Sequence, residues 1–203
     1  MDPVSIANLA LSWLGFDPIV SLEDDSKSAN KINANFAPIR DAVLEDRDWT
    51  FAMERLALNK EADPPAFGYT AKYLLPAKVL RVVTANDDGG AVDAFAYQVG
   101  LAAGSKLDWV KEGRSILANT TSATVNVLAV VQVEDVTLWS PGFCQAVAAR
   151  LAADLCVPLT ENRSLQADLW KLYTDKLRDA SANDGRQGRS PRLRNTTLAA
   201  RRR

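Results

Sequence analysis

The chain has 203 residues, with 24 basic and 25 acidic side chains, a formal net charge of −1 and 47% hydrophobic residues. It holds no histidine and two cysteines, which removes serine–histidine and cysteine–histidine catalysis, histidine metal sites and a zinc held by cysteines alone. The length can bury a real core, most simply as one domain with a subdomain.

The N-terminal stretch reads as helix. Asp2-Pro3 is a capping residue followed by proline at the first helical position, and Ile6, Leu9, Ala10, Trp13 and Leu14 follow at helical spacing up to Gly15. Asp24, Asp25 and Ser26 start a second helix, in which Ala29, Ile32, Phe36, Ile39 and Val43 share one face up to about Glu45. Pro38 lies inside it and predicts a kink or a break.

From Trp49 to about Glu134, short runs of Val, Leu, Tyr and Phe alternate with turn residues. Strands are expected at Thr50–Leu58, Ala71–Leu75, Val79–Thr84, Ala94–Gln98, Leu107–Lys111, Ser115–Ala118 and Thr124–Val133. Turns are signalled at Asp63-Pro64-Pro65, Asp87-Asp88-Gly89-Gly90 and Gly104-Ser105, and Lys111-Glu112-Gly113-Arg114 predicts a tight hairpin. Ser140-Pro141 opens a third helix, with Phe143, Val147, Leu151 and Leu155 among alanines, expected to end at Pro158. Thr160 is the expected cap of a last helix carrying Leu165, Leu169, Leu172, Tyr173 and Leu177, which fades near Gly185.

The expected fold class is therefore α+β: a four-helix bundle with an inserted antiparallel β subdomain and an extended basic C-terminal arm. Residues 1–48 supply the N-terminal helices, 49–138 the β insertion, 139–184 the C-terminal helices and 185–203 the arm.

Cys144 and Cys156 are twelve positions apart in one expected helix. At ~1.5 Å per residue that is about 18 Å, too far for a disulfide, so both read as small buried apolar residues. Met1-Asp2-Pro3 lacks the basic and apolar pattern of a signal peptide, and no apolar run is read as long enough to span a bilayer. A reducing cytosol, with no membrane partner, is the expected setting.

Charge is divided unevenly along the chain. Arg186, Arg189, Arg192, Arg194, Arg201, Arg202 and Arg203 lie beyond Gly185 with no acidic residue among them. Seven of the 24 basic residues are thus in the arm, leaving 17 against 25 acidic ones in residues 1–184, a net of −8. The arm has no aromatics and too little apolar surface to fold alone. It is expected to stay extended until it docks on an acidic protein or on nucleic-acid phosphates.

Catalytic patterns do not emerge. The carboxylate pairs Asp24/Asp25, Glu45/Asp46, Asp87/Asp88 and Glu134/Asp135 are sequence neighbours rather than groups facing across a cleft. Asp88-Gly89-Gly90 has neither phosphate-loop spacing. The tryptophans Trp13, Trp49, Trp109, Trp139 and Trp170 read mainly as core anchors rather than base-stacking platforms. No cofactor, metal or catalytic residue is expected.

Four segments carry more specific information. They are Phe36, Arg40 and Leu44 leading into Trp49-Thr50-Phe51-Ala52; Pro65-Ala66-Phe67-Gly68-Tyr69 with Tyr73-Leu74-Leu75-Pro76 and Leu80-Arg81-Val82; Glu112-Gly113-Arg114-Ser115-Ile116-Leu117; and Trp139-Ser140-Pro141-Gly142-Phe143. In that order, from about residue 3 to residue 184, the chain resembles the tail tubular protein A (gatekeeper) family of short-tailed phages, head-to-tail adaptors of the virion.

The resemblance implies a helical bundle with a β insertion and no catalytic site. It implies a homo-oligomeric ring of twelve subunits, assembled in the host bacterial cytoplasm and placed in the virion neck. There it would join the portal protein to a tail nozzle of the tail tubular protein B kind, with genomic DNA passing through the lumen unread. Trp49, Phe51 and Tyr73 carry over as structural signatures, and the seven arginines of the arm are the expected portal-docking residues. The alternative is a nucleic-acid-binding protein whose arm grips phosphates. A carboxylate hydrolase is a third reading.

Overall fold

A computed structural model describes residues 1–87 and 107–186. The expected strand at 94–98, the turns at 88–90 and 104–105, and residues 187–203 of the arm lie outside the described residues.

The protein is mixed α+β, with four helices and two three-stranded antiparallel sheets among the described residues. Helix α1 (Pro3–Leu14) is capped by Asp2, whose carboxylate accepts from the Ser5 N–H at 2.7 Å. Helix α2 (Lys27–Glu45) is capped by Ser26, whose hydroxyl accepts from the Ala29 N–H at 3.1 Å. Helix α3 (Pro141–Thr160) is capped by Ser140, and α4 (Arg163–Gly185) by Asn162. At each start a side-chain oxygen meets one of the free N–H groups of the first turn.

Three helix expectations need correction. Pro38 does not break α2, which runs without interruption to Glu45. One missing N–H is outweighed by a buried face of Ile32, Ile39, Val43 and Leu44. Pro158 does not end α3, which continues to Thr160, because a proline near the last turn removes only one internal bond. Thr160 does not cap α4: its hydroxyl donates back to the Cys156 carbonyl at 2.7 Å, and the Asn162 side chain accepts from the Leu165 N–H instead.

Helix α3 is the hub, with α1, α2 and α4 each packed on it. Its buried residues lie all round the helix, including Phe143, Cys144, Val147, Leu151, Leu155 and Cys156. Both cysteines are free. This corrects the membrane reading of the sequence: among the described residues, α3 is long and apolar enough to cross a bilayer by length and composition. A helix apolar on every side also suits the centre of a helix cluster, and 61% of the apolar window is buried inside the fold.

All six described strands lie between α2 and α3. The first sheet has the order β1 (Met53–Asn59), β6 (Thr124–Val131), β3 (Val79–Asn86). The second has the order β2 (Ala71–Leu74), β5 (Ser115–Ala118), β4 (Trp109–Glu112). Thr50–Ala52, expected as the start of a strand, is a short 3-10 turn, and β1 begins only at Met53. Strands β4 and β5 meet through Gly113-Arg114, with Glu112 opposite Ser115. Gly113 has φ 55°, the conformation that a two-residue turn with glycine first requires.

The layers follow from alternation along β6. Val125, Val127 and Ala129 face the core between the two sheets, with Tyr73, Ile116 and Ala118. Leu128 and Val130 face the helices, with Trp49, Val147 and Leu151. The order is therefore helices, first sheet, second sheet. A central strand buried on both faces explains why β6 is nearly continuous in apolar residues.

Candidate functional site

Trp49 and Phe51 meet where the helices join the first sheet, while Tyr73 lies apart, in the core between the two sheets. Trp49, just past α2, is fully buried, and its indole N–H donates to the Val43 carbonyl inside that helix at 2.9 Å. Its ring meets Phe143 edge-on at 4.9 Å. Phe51 and Trp139 also meet Phe143 edge-on, at 5.0 and 4.9 Å. Edge-to-face pairs of this kind add to the burial of the rings. They bind the entry to β1 against the first turn of α3.

The other quoted segments lie in and around the two sheets, and one of them reaches back to α2. Arg81 on β3 donates from Nε to the Glu45 carbonyl at the end of α2 and forms an ion pair with Asp48. A cation on the last carbonyls of a helix also complements its dipole. Tyr73 on β2 lies opposite Ile116 on β5. Its ring is fully buried, and its hydroxyl donates to the Ser122 carbonyl at 2.7 Å. Burial, together with the charge of Asp87, raises the Tyr73 phenol above its ordinary value.

The arm begins beside the same junction. Asp184, in the last turn of α4, is buried and accepts from both the N–H and the hydroxyl of Thr50, at 2.7 and 2.8 Å. Two residues on, Arg186 is exposed, and its guanidinium donates to the Asn183 side chain at 3.3 Å. The other expected docking residues, Arg189, Arg192, Arg194, Arg201, Arg202 and Arg203, lie outside the described residues, so no convergence of the seven is seen.

Two polar clusters escaped the sequence reading. Arg150 on α3 stacks over Trp170 at 4.5 Å and Tyr173 at 5.1 Å, and binds Asp154 through Nε at 3.0 Å. The Tyr173 hydroxyl donates to Asp46. Burial first, then that bond, raises the Tyr173 phenol far above its usual range. Arg40 on α2 is buried and binds Asp41 through Nε at 2.7 Å, while its Nη2 has no hydrogen-bond partner. The Arg150 and Tyr173 pattern was visible in principle as an aromatic pair three apart on an amphipathic helix, but its partners on α3 and after α2 are remote in sequence.

A surface feature also went unread. The stretch 65–69 lies over the outer face of the second sheet and borders a cleft of about 400 Å³. Lys72, Glu112, Ser115 and Leu117 line it, and Phe67 stands at its rim, 88% exposed. The available signal was an aromatic residue set between Pro64-Pro65 and Gly68, where a core residue is not expected. Among the described residues, no three His, Cys, Asp or Glu side chains are placed to hold a metal ion. The chemistry on display is packing, ion pairing and surface contact.

Comparison with known proteins finds no family model that matches the chain and no curated protein similar to it.

Proposed function

We propose that this chain is a structural virion protein, a head-to-tail adaptor that joins a phage portal to the tail nozzle and forms part of the DNA exit channel. The observation that carries the reading is that the four segments on which the resemblance rests contact one another in pairs, across two cores. Trp49 meets Phe143, Arg81 meets Glu45 and Asp48, and Tyr73 lies opposite Ile116. Residues that specify a fold together are a better ground for kinship than scattered similarities are.

In this reading the four helices form a bundle around α3 that carries the sheets as an insertion, and residues 185–203 form a basic arm. Twelve copies close a ring through two different faces on each subunit. The acidic body, −8 over residues 1–184, repels the passing polyanion and so does not hold it in the lumen. The arginines of the arm pair with acidic groups of the portal, each arm weakly and the ring strongly.

The test is size-exclusion chromatography of the chain alone, with its portal protein and with its tail-nozzle protein. Co-elution with the portal and recruitment of the nozzle are expected. A chain that binds neither overturns the proposal. DNA affinity that falls steeply with salt and is lost on removal of residues 186–203 would replace it with the phosphate-gripping reading.

A further inference from the structure

We propose that the outer face of the second sheet docks a second copy of this chain, through a twofold contact in which each Phe67 enters the other's cleft. Phe67 is 88% exposed and Leu74, on the same side of β2 as Lys72, is 50% exposed. An aromatic ring held in water at a cleft rim is apolar surface that association removes. The loop that presents it is fixed at its base. The Thr70 hydroxyl donates towards the Ala118 and Thr120 carbonyls at 3.3 Å and accepts from the Thr120 N–H at 3.2 Å. A knob held in place before binding loses little freedom when it docks.

The identity of the occupant follows from where the knob, the hole and the charges sit. Phe67 and the cleft belong to one patch. A patch that holds both halves of a contact is self-complementary across a twofold axis, so that residue i meets j and j meets i. The cleft is lined by one cation, Lys72, and one anion, Glu112, neither with an ion-pair partner among the described residues. A twofold pair whose axis runs along β5 sets Lys72 of each copy towards Glu112 of the other. A uniformly basic or acidic partner would bring like charges together at one of the two positions. The β4–β5 pairing places Glu112 opposite Ser115, and the β2–β5 pairing places Lys72 opposite Leu117, so the two charges flank β5 from opposite sides.

Such a contact makes pairs and does not close a ring. It is independent of the adaptor reading, and it covers an apolar face while the chain is free.

The experiment is sedimentation of the full chain alone, over a range of concentrations. The wild type is expected to pass from monomer to dimer. Phe67→Asp is expected to weaken the dimer about tenfold or more. Lys72→Glu and Glu112→Lys are each expected to weaken it, and the double reversal to restore it. Thermal melts check that the variants fold, which the exposure of Phe67 favours. A photo-reactive phenylalanine at position 67 is expected to cross-link to residues 65–72 or 112–117 of another copy. A wild type that stays monomeric, a Phe67→Asp chain that associates as before, or cross-links only to other surfaces would overturn the proposal. Because the portal and nozzle are absent, failure here leaves the adaptor test standing on its own.

Discussion

Gly142 shows how much one atom can weigh. A methyl group built at this position would lie 2.9 Å from the Ala180 Cβ and 3.2 Å from its Cα, so α3 and α4 approach here closer than a side chain allows. Gly142→Ala gains up to ~1 kcal/mol of helix propensity but meets backbone that cannot move alone. It is predicted to destabilise the fold by about 1–2 kcal/mol in denaturant unfolding. Adding Ala180→Gly should recover part of that loss, and a strictly additive pair would show that the contact is not the cause.

Tyr173 gives a second prediction at the same scale. Its phenol is raised above the ordinary value of 10.0 by burial and by the bond to Asp46. As pH rises past about 10, the unfolded chain gives up this proton while the folded chain keeps it. The stabilisation is therefore complete below that pH and declines above it. Tyr173→Phe should flatten the decline in denaturant midpoint between about pH 9 and about pH 11, leaving the share owed to Tyr73.

At the scale of elements, the bond between Asp184 and Thr50 fastens the end of α4 to the entry of the first sheet. Removing the carboxylate strands a backbone N–H and a hydroxyl, so Asp184→Ala is predicted to cost about 2–3 kcal/mol. Asp184→Asn should cost less, because its carbonyl can still accept from the Thr50 N–H. Chemical unfolding of the three chains orders them.

This contact also marks the limit of what the sequence shows. Helix starts were legible because capping is local: Asp2, Ser26 and Ser140 each serve an N–H within three residues. Ser115–Ala118 and the Gly113 hairpin were legible because turn geometry fixes register. Thr50–Ala52 read as strand because its residues favour one, yet a carboxylate 134 positions away holds it as a turn. Pro38 read as a kink or a break because its cost is local, while the burial of Ile32, Ile39, Val43 and Leu44 that outweighs it is not. Of the candidate site, the burial of Trp49 was readable from type and setting. The Phe67 cleft was not, since it forms only when a loop lies across a sheet whose strands come from two distant segments.

At the scale of the whole molecule, charge is divided along the chain. Residues 1–184 carry a net −8 and residues 185–203 carry seven arginines. Deleting Arg186 to Arg203 removes none of the core residues among those described, and the melting temperature is predicted to stay unchanged. The proposed attachment to a portal should weaken, read by co-sedimentation, and more steeply as salt rises. Unchanged attachment would make the arm a bystander and leave the body as the docking surface.

The most direct measurement of the proposed adaptor role is a reconstruction of the neck of a phage particle. The account predicts a ring of copies between portal and nozzle, with the helices and both sheets of each copy fitted into density and the DNA path running through the centre. A neck without density for the chain, or a chain found with a substrate bound in a cleft, would contradict it.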